Sequence, residues 1–233
     1  MIKLRNYSLN ILLGLSFTLF ILTFSISLPI LIRGFYYIHI ESTLVLEVLE
    51  YWNGLSLTVE DIKESYNLLL DFLIFNKPFD LGKIPFTYDG MMHFYDVRTL
   101  FIFNFSLLGA SATSLIVLLT LLKFRVFELV KFKKLSFFSI VPLILLVFGG
   151  CLAIYALIDF NGAFTFFHLI FFPTKTNWFF DYRIDPIINI FQVTFFQNCA
   201  ILIGSICLIS YGIPLFIDIK TLLKEKKISK TKN

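Results

Sequence analysis

Residues 99–122 read TLFIFNFSLLGASATSLIVLLTLL, 24 consecutive residues without a lysine, arginine, aspartate or glutamate. A bilayer core about 30 Å thick needs roughly 20 apolar residues at about 1.5 Å each, so this run is long enough to cross one. Three other stretches match it: 6–32, 135–158 and 186–217 are uncharged over 27, 24 and 32 residues. Backbone groups in lipid must pair within their own segment, so runs this continuous form helices. The alternating pattern of a membrane barrel is absent. The chain is 58% hydrophobic, with 30 Phe, and 15% charged, far below the roughly 25% charge of a soluble domain. The expected fold is therefore an all-α integral membrane protein, one domain over 1–233, with spans at about 8–32, 99–122, 136–158 and 191–217.

Lys3 and Arg5 ahead of the first run resemble the start of a secretory signal. The apolar part is much longer than the roughly 7–15 residues of such a peptide, and no Ala-x-Ala site follows, so a retained first helix is expected. The spans leave two unequal segments on one side, about 34–98 and 159–189. The other side holds 13 of the 20 Lys and Arg, including Lys123, Arg125, Lys131 and the lysines of the C-terminal tail up to Lys232, but only Glu128, Asp218 and Glu225 among the acids. One side thus carries +10 and the other −6, which together give the net +4. The positive-inside rule then makes both termini cytoplasmic and the segments 34–98 and 159–189 external. The basic balance reflects this topology and implies no nucleic-acid partner.

Within the larger external segment, Thr58 and Asp61 form a capping pair ahead of Ile62, Tyr66, Leu69, Leu70 and Leu73, which recur at helical spacing. Such a helix, ending at Asn76–Lys77–Pro78, either lies on the outer bilayer surface or covers a cavity between membrane helices. Asp80–Leu81–Gly82 and Tyr88–Asp89–Gly90 read as turns. In the smaller external segment, 160–174 is uncharged but only 15 residues long, too short to span, so a re-entrant or interfacial course is expected. Trp178, Phe179, Phe180 and Tyr182 after it suit an aromatic belt at headgroup depth.

The chemistry-bearing residues gather on the external side, where all three histidines (His39, His93 and His168) fall. His93 and Asp96 are three apart and share a helical face, so a carboxylate there can fix one imidazole tautomer and leave the other nitrogen free. Arg98 can pair with Asp96 or hold an ester or phosphate oxygen. The plainer reading is that these three end the second membrane helix as solvated groups. His168 lies among Phe residues, where burial disfavours the imidazolium and keeps the ring able to accept a proton. Its plainer reading is an interfacial histidine with a wet tip, which is also the expectation for His39. No Gly-x-Ser-x-Gly elbow and no His-Glu-x-x-His signature is present. Cys151, Cys199 and Cys207 show no metal-ligand or disulfide spacing and read as small apolar residues. A transporter or channel is disfavoured, because the helix interiors hold no Asp, Glu, Lys, Arg or His, with Asn104 their most polar residue.

His93-Phe94-Tyr95-Asp96-Val97 at the entry to the second helix, and Phe167-His168-Leu169-Ile170-Phe171-Phe172 with Trp178 behind it, resemble the bacterial lipoprotein intramolecular transacylases. The four-helix layout and the external segment between the first two helices resemble them too. The resemblance implies an acyltransferase of the bacterial cytoplasmic membrane, with its active site on the outer face and no cofactor or metal. It implies transfer of the sn-2 acyl chain of an S-diacylglyceryl-cysteine to that cysteine's α-amine, leaving a lyso-form lipoprotein. His93 and His168 would be catalytic, Asp96 and Arg98 supporting, and Phe167, Phe171, Phe172 and Trp178 substrate-binding. The partners implied are diacylglyceryl-modified lipoproteins and membrane lipids. The competing readings are a non-catalytic accessory or sensor protein, and a metal-dependent lipid hydrolase with His93, Asp96 and His168 as ligands.

The orientation is open to a direct check. With the three native cysteines removed, a single cysteine placed within 83–90 is expected to react with an impermeant maleimide on intact cells, and one within 128–134 is not. The reverse labelling pattern would invert the topology and put the histidines on the cytoplasmic side.

Overall fold

The computed structural model describes residues 2–41 and 44–231, so Lys232, counted above in the C-terminal tail, lies outside the described residues. The elements in chain order are α1 (Ile2–Leu31), α2 (Arg33–Glu41), α3 (Val45–Asn53), α4 (Val59–Phe75) and α5 (Tyr88–Lys123). A short hairpin, β1 (Lys131–Phe132) and β2 (Leu135–Ser136), leads into α6 (Phe137–Ile158), α7 (Phe160–Phe171), α8 (Ile187–Ile190) and α9 (Val193–Thr231). Four helices are long and apolar enough to cross a membrane: Lys3–Leu31, Tyr88–Lys123, Phe137–Ile158 and Val193–Ile228. Each contains one of the uncharged runs or most of it, and α5 and α9 extend well beyond theirs. The Tyr88–Asp89–Gly90 turn expected from sequence is instead the first turn of α5.

The chain divides into two compact units. The first comprises Met1–Ser25, Ser106–Ile154 and Leu202–Asn233. Several of its hydroxyls, such as Thr18 on the Gly14 carbonyl, bond back within their own helix, while a few polar contacts tie separate helices or connections together. Ser16 and Ser114 share a hydrogen bond of 2.7 Å, and the Tyr211 hydroxyl donates to the Thr18 carbonyl at 2.7 Å. Asn10 donates to the Glu128 carbonyl at 2.8 Å and accepts from the Val130 amide at 3.2 Å, fixing the chain ahead of β1. The hairpin pairs Lys131 with Ser136 and Phe132 with Leu135, and its turn residues Lys133 and Lys134 both have positive φ. Such turns ordinarily carry Asn-Gly or Asp-Gly, so the hairpin leaves no sequence signal. Asp218 anchors it from α9: its carboxylate accepts from Lys131 at 2.9 Å, from the Ser136 amide at 2.7 Å and from the Ser139 hydroxyl at 2.7 Å.

The second unit comprises Ile26–Phe105 and Tyr155–Ile201. Its core is a conventional apolar cluster built on α2, α3, α4 and α8, including Tyr36, Val45, Leu49, Ile62, Leu69 and Ile190. Tyr36 is fully buried, stacks on Tyr66 at 3.9 Å and donates its hydroxyl to the Ile190 carbonyl at 2.9 Å. The capping box of Thr58 and Asp61 opens α4 as the sequence predicts, and Asn76 closes it in the left-handed conformation. Ile62, Tyr66, Leu69, Leu70 and Leu73 are all buried. That apolar face is filled by protein, with Tyr36 and Ile40 of α2 and with Leu81 and Ile84 in the same cluster, so α4 does not lay it on lipid. The Asp80–Leu81–Gly82 turn forms, with the Gly82 amide on the Asp80 carboxylate at 2.9 Å.

Among the glycines, Gly14 of α1 is the one a close helix approach requires. A Cβ there would lie 2.7 Å from the Phe137 carbonyl oxygen and 2.8 Å from a methyl of Val141, at the start of α6. Small residues allow this kind of backbone approach between membrane helices. Gly14→Val is therefore expected to destabilise by about 1–3 kcal/mol through overpacking. Gly109→Ala, where nothing lies within 4 Å, is expected to be neutral. Thermal unfolding of the two variants in detergent distinguishes them, and equal midpoints would contradict the α1–α6 contact.

Candidate active site

Two elements of the second unit carry the site. On α5, His93 lies one turn ahead of Asp96. The start of that helix is pinned from a distance: Thr87 donates its amide (3.1 Å) and its hydroxyl (2.6 Å) to the buried Asp185 carboxylate, and its hydroxyl oxygen accepts from the Gly90 amide at 3.0 Å. Asp185 also explains Gly90, where a Cβ would stand 2.9 Å from the carboxylate. The second element is α7. Asp159 caps it by accepting from the Gly162 amide at 2.9 Å, and the Phe172 amide closes it on the His168 carbonyl at 2.7 Å.

His93 and His168 come together. Their ring centroids are 5.9 Å apart with planes 31° from parallel, and the residues are only 5% and 7% exposed. Aromatic rings enclose them. Phe172 touches both, at 5.2 Å from His93 and 5.8 Å from His168. Phe180 lies 5.4 Å from His93, Phe164 4.4 Å from His168, and Trp178 stacks on His168 at 4.8 Å with planes 26° apart. The pair occupies an apolar box.

The ring of His168 has a defined tautomer. Its Nδ1 is 2.8 Å from the Phe164 carbonyl oxygen. A carbonyl can only accept, so Nδ1 carries the proton and Nε2 is the bare, basic nitrogen. Burial pushes the imidazole below its ordinary value of 6.5, more than the hydrogen bond to Phe164 raises it, so the ring is neutral at pH 7. His93 differs: its Nδ1 is buried and has no hydrogen-bond partner among the described residues. A buried polar atom left in this state is costly unless something else meets it.

Several expectations from sequence change here. Asp96 makes no hydrogen bond to His93. Its carboxylate instead accepts from Lys175 Nζ and from Asn177 Nδ2, both at 3.1 Å. Arg98 is engaged with neither Asp96 nor the histidines, and donates to the Asn76 side chain with its guanidinium 5.1 Å over the Phe72 ring. Trp178 is not at an exposed aromatic belt but buried against His168, with Nε1–H donating to the Lys175 carbonyl at 2.9 Å. His39 is buried, without the wet tip expected of it, its ring 5.5 Å from Phe195, and burial lowers its pKa. Of the four substrate-binding candidates, Phe172 and Trp178 are buried and form walls of the box. Phe167 and Phe171 are about half exposed, 4.6 Å apart, on a face of α7 shared with Ile170. Sequence reasoning missed Lys175, Asn177 and Asp185. The only available signal was a polar Lys-Thr-Asn triplet interrupting two aromatic stretches.

Among the described residues no three His, Cys, Asp or Glu side chains are grouped to hold a metal ion. With Asp96 committed to Lys175 and Asn177, the hydrolase reading loses its third ligand.

These features define a helical, membrane-integral protein whose second unit buries two histidines in an aromatic box. The family described as lipoprotein intramolecular transacylase Lit matches residues 11–196, and the chain belongs to it. The fold agrees with the in meso structure of the membrane-integral lipoprotein intramolecular transacylase Lit from Bacillus cereus, at TM-score 0.79 and 20% identity over 97% of this chain and 99% of that one. A variant of the same Bacillus cereus protein with a histidine replaced by alanine superposes at TM-score 0.72 and 19% identity, covering 97% of each chain. No curated protein sequence matches the chain.

Proposed function

We propose that the chain moves the sn-2 acyl chain of an S-diacylglyceryl-cysteine onto the α-amine of the same cysteine, at the outer face of a bacterial cytoplasmic membrane with both termini inside. The observation that carries this reading is the buried histidine pair, with one ring held in a single tautomer and no serine elbow in the chain. The α-amine has a pKa of about 8 and must be neutral to attack. Nε2 of His168 takes its proton as the amine nitrogen bonds to the ester carbon. His93 hydrogen-bonds the developing oxyanion, which gives its orphaned ring a partner. The tetrahedral species collapses by breaking the bond to the glycerol oxygen, and that oxygen takes back the proton held by His168. An amide and a free glyceryl hydroxyl replace an ester and an amine, and the mass is unchanged.

Nucleophile and ester belong to one molecule, so an enzyme that orients them gains an effective molarity of up to about 10⁵–10⁸ M without a nucleophile of its own. The external segments 34–98 and 159–189 present the pair at the bilayer surface, with α7 as the interfacial element. The exposed Phe167 and Phe171 meet the substrate's acyl chains, each buried methylene contributing about 0.8 kcal/mol. Phe172 and Trp178 exclude water from the reacting groups. Arg98, committed to Asn76, is given no chemical step.

His93→Ala and His168→Ala are each expected to lower transfer by about 10²–10⁴ while the protein still folds and inserts. His39→Ala, outside the box, is expected to cost much less. The assay is mass spectrometry of a reporter lipopeptide, whose product has unchanged mass, a blocked amine and one glyceryl ester fewer. An inactive His39→Ala beside an active His168→Ala would overturn the assignment.

A further inference from the structure

Both carboxylate oxygens of Asp96 are occupied by one turn of chain. Oδ1 accepts from Lys175 and Oδ2 from Asn177. The turn is tight: the Lys175 amide donates to the Phe172 carbonyl at 3.1 Å, and the Trp178 indole N–H returns to the Lys175 carbonyl at 2.9 Å. The indole so placed lies face to face on His168, and Phe179 stacks on the same indole at 3.6 Å. Helix α5 therefore carries His93 and, one turn later, the anchor of the turn that holds a wall against His168.

We propose that Asp96 is a positioning residue acting on His168, through the Lys175–Asn177 turn and Trp178, and not on His93, its neighbour on α5. The inference rests on the reading of the two histidines as the reacting pair. The ion pair is partly exposed, with Lys175 and Asp96 side chains at 46% and 22%, and such pairs add little to stability. Its effect is on geometry. Three contacts in series, carboxylate to turn, turn to indole and indole to imidazole, set where His168 stands relative to His93. Misplacement of a catalytic group by about 1 Å can cost about 10²-fold in rate.

Trp178 supplies its own probe, because the chain has only two tryptophans. In a Trp52→Phe background its emission reports the stacked ring, since an imidazolium face to face with an excited indole accepts an electron and quenches it. The ionisable groups around the indole are His168, with His93 5.9 Å from the His168 ring, and the Asp96–Lys175 pair. Emission is expected to fall on acidification below pH 6.5, the ordinary imidazole value, and His168→Phe is expected to abolish that fall. Lys175→Met and Asp96→Asn are expected to shrink the fall severalfold and to lower kcat for transfer about 10- to 100-fold with KM little changed. Lys175→Arg restores both, and the combined variant is no worse than either alone, because the residues act as one unit.

Slow transfer with unchanged quenching in Lys175→Met would overturn the inference, as would no effect on either. So would wild-type emission that does not respond to His168. If quenching behaves as expected but the wild type performs no transfer, the positioning stands and the acyl-transfer reading fails.

Discussion

The hydrogen bond from Nδ1 of His168 to the Phe164 carbonyl, 2.8 Å long and internal to α7, is the constraint around which the site is organised. A neutral imidazole must choose which nitrogen keeps its proton, a choice set by the partner each nitrogen finds. The helix makes it by offering an acceptor to one nitrogen only. A capped α7, closed by Asp159 at one end and Phe172 at the other, keeps that acceptor in place. Burial then keeps the ring uncharged, and the second histidine is brought alongside with a nitrogen that nothing in the described chain satisfies. One ring has its Nδ1 paired and its Nε2 bare, and the other has a buried Nδ1 with no partner among the described residues.

Three carboxylates stand at junctions between separate parts of the chain. Asp96 ties α5 to the turn before Trp178, Asp185 ties the start of α5 to the chain ahead of α8, and Asp218 ties α9 to the hairpin and α6. Each accepts at least two hydrogen bonds, which is what a carboxylate needs away from bulk water. The membrane helices themselves meet through small residues and hydroxyls, as at Gly14 and at Ser16 with Ser114. Apolar surface alone gives helices no reason to associate in lipid, so specificity comes from such close or polar contacts.

The spans were legible because lipid tolerates almost no charge, and an uncharged run is a one-dimensional signal. The start of α4 was legible because its cap is local, Thr58 to Asp61. The histidines were legible as rare residues in uncommon surroundings. What could not be read was pairing at long range: nothing near Asp96 in sequence points to Lys175 and Asn177, and the local Asp96–His93 spacing suggested a different partner. The hairpin escaped because two lysines stand where its turn ordinarily has Asn-Gly. The burial of His39 and Trp178 went unread because an aromatic-rich sequence near a membrane looks the same whether its rings face headgroups or one another.

The central claim is that nucleophile and acyl donor are parts of one substrate molecule, brought together by two histidines without a covalent enzyme intermediate. A crossover experiment tests it most directly, with lipopeptides bearing isotopically heavy acyl chains and a heavy peptide mixed with fully light ones, in excess phospholipid carrying a third isotopic label. The account predicts only all-heavy and all-light lyso products, each with two acyl chains and none labelled from phospholipid. Mixed products, or an N-acyl chain taken from phospholipid, would contradict it.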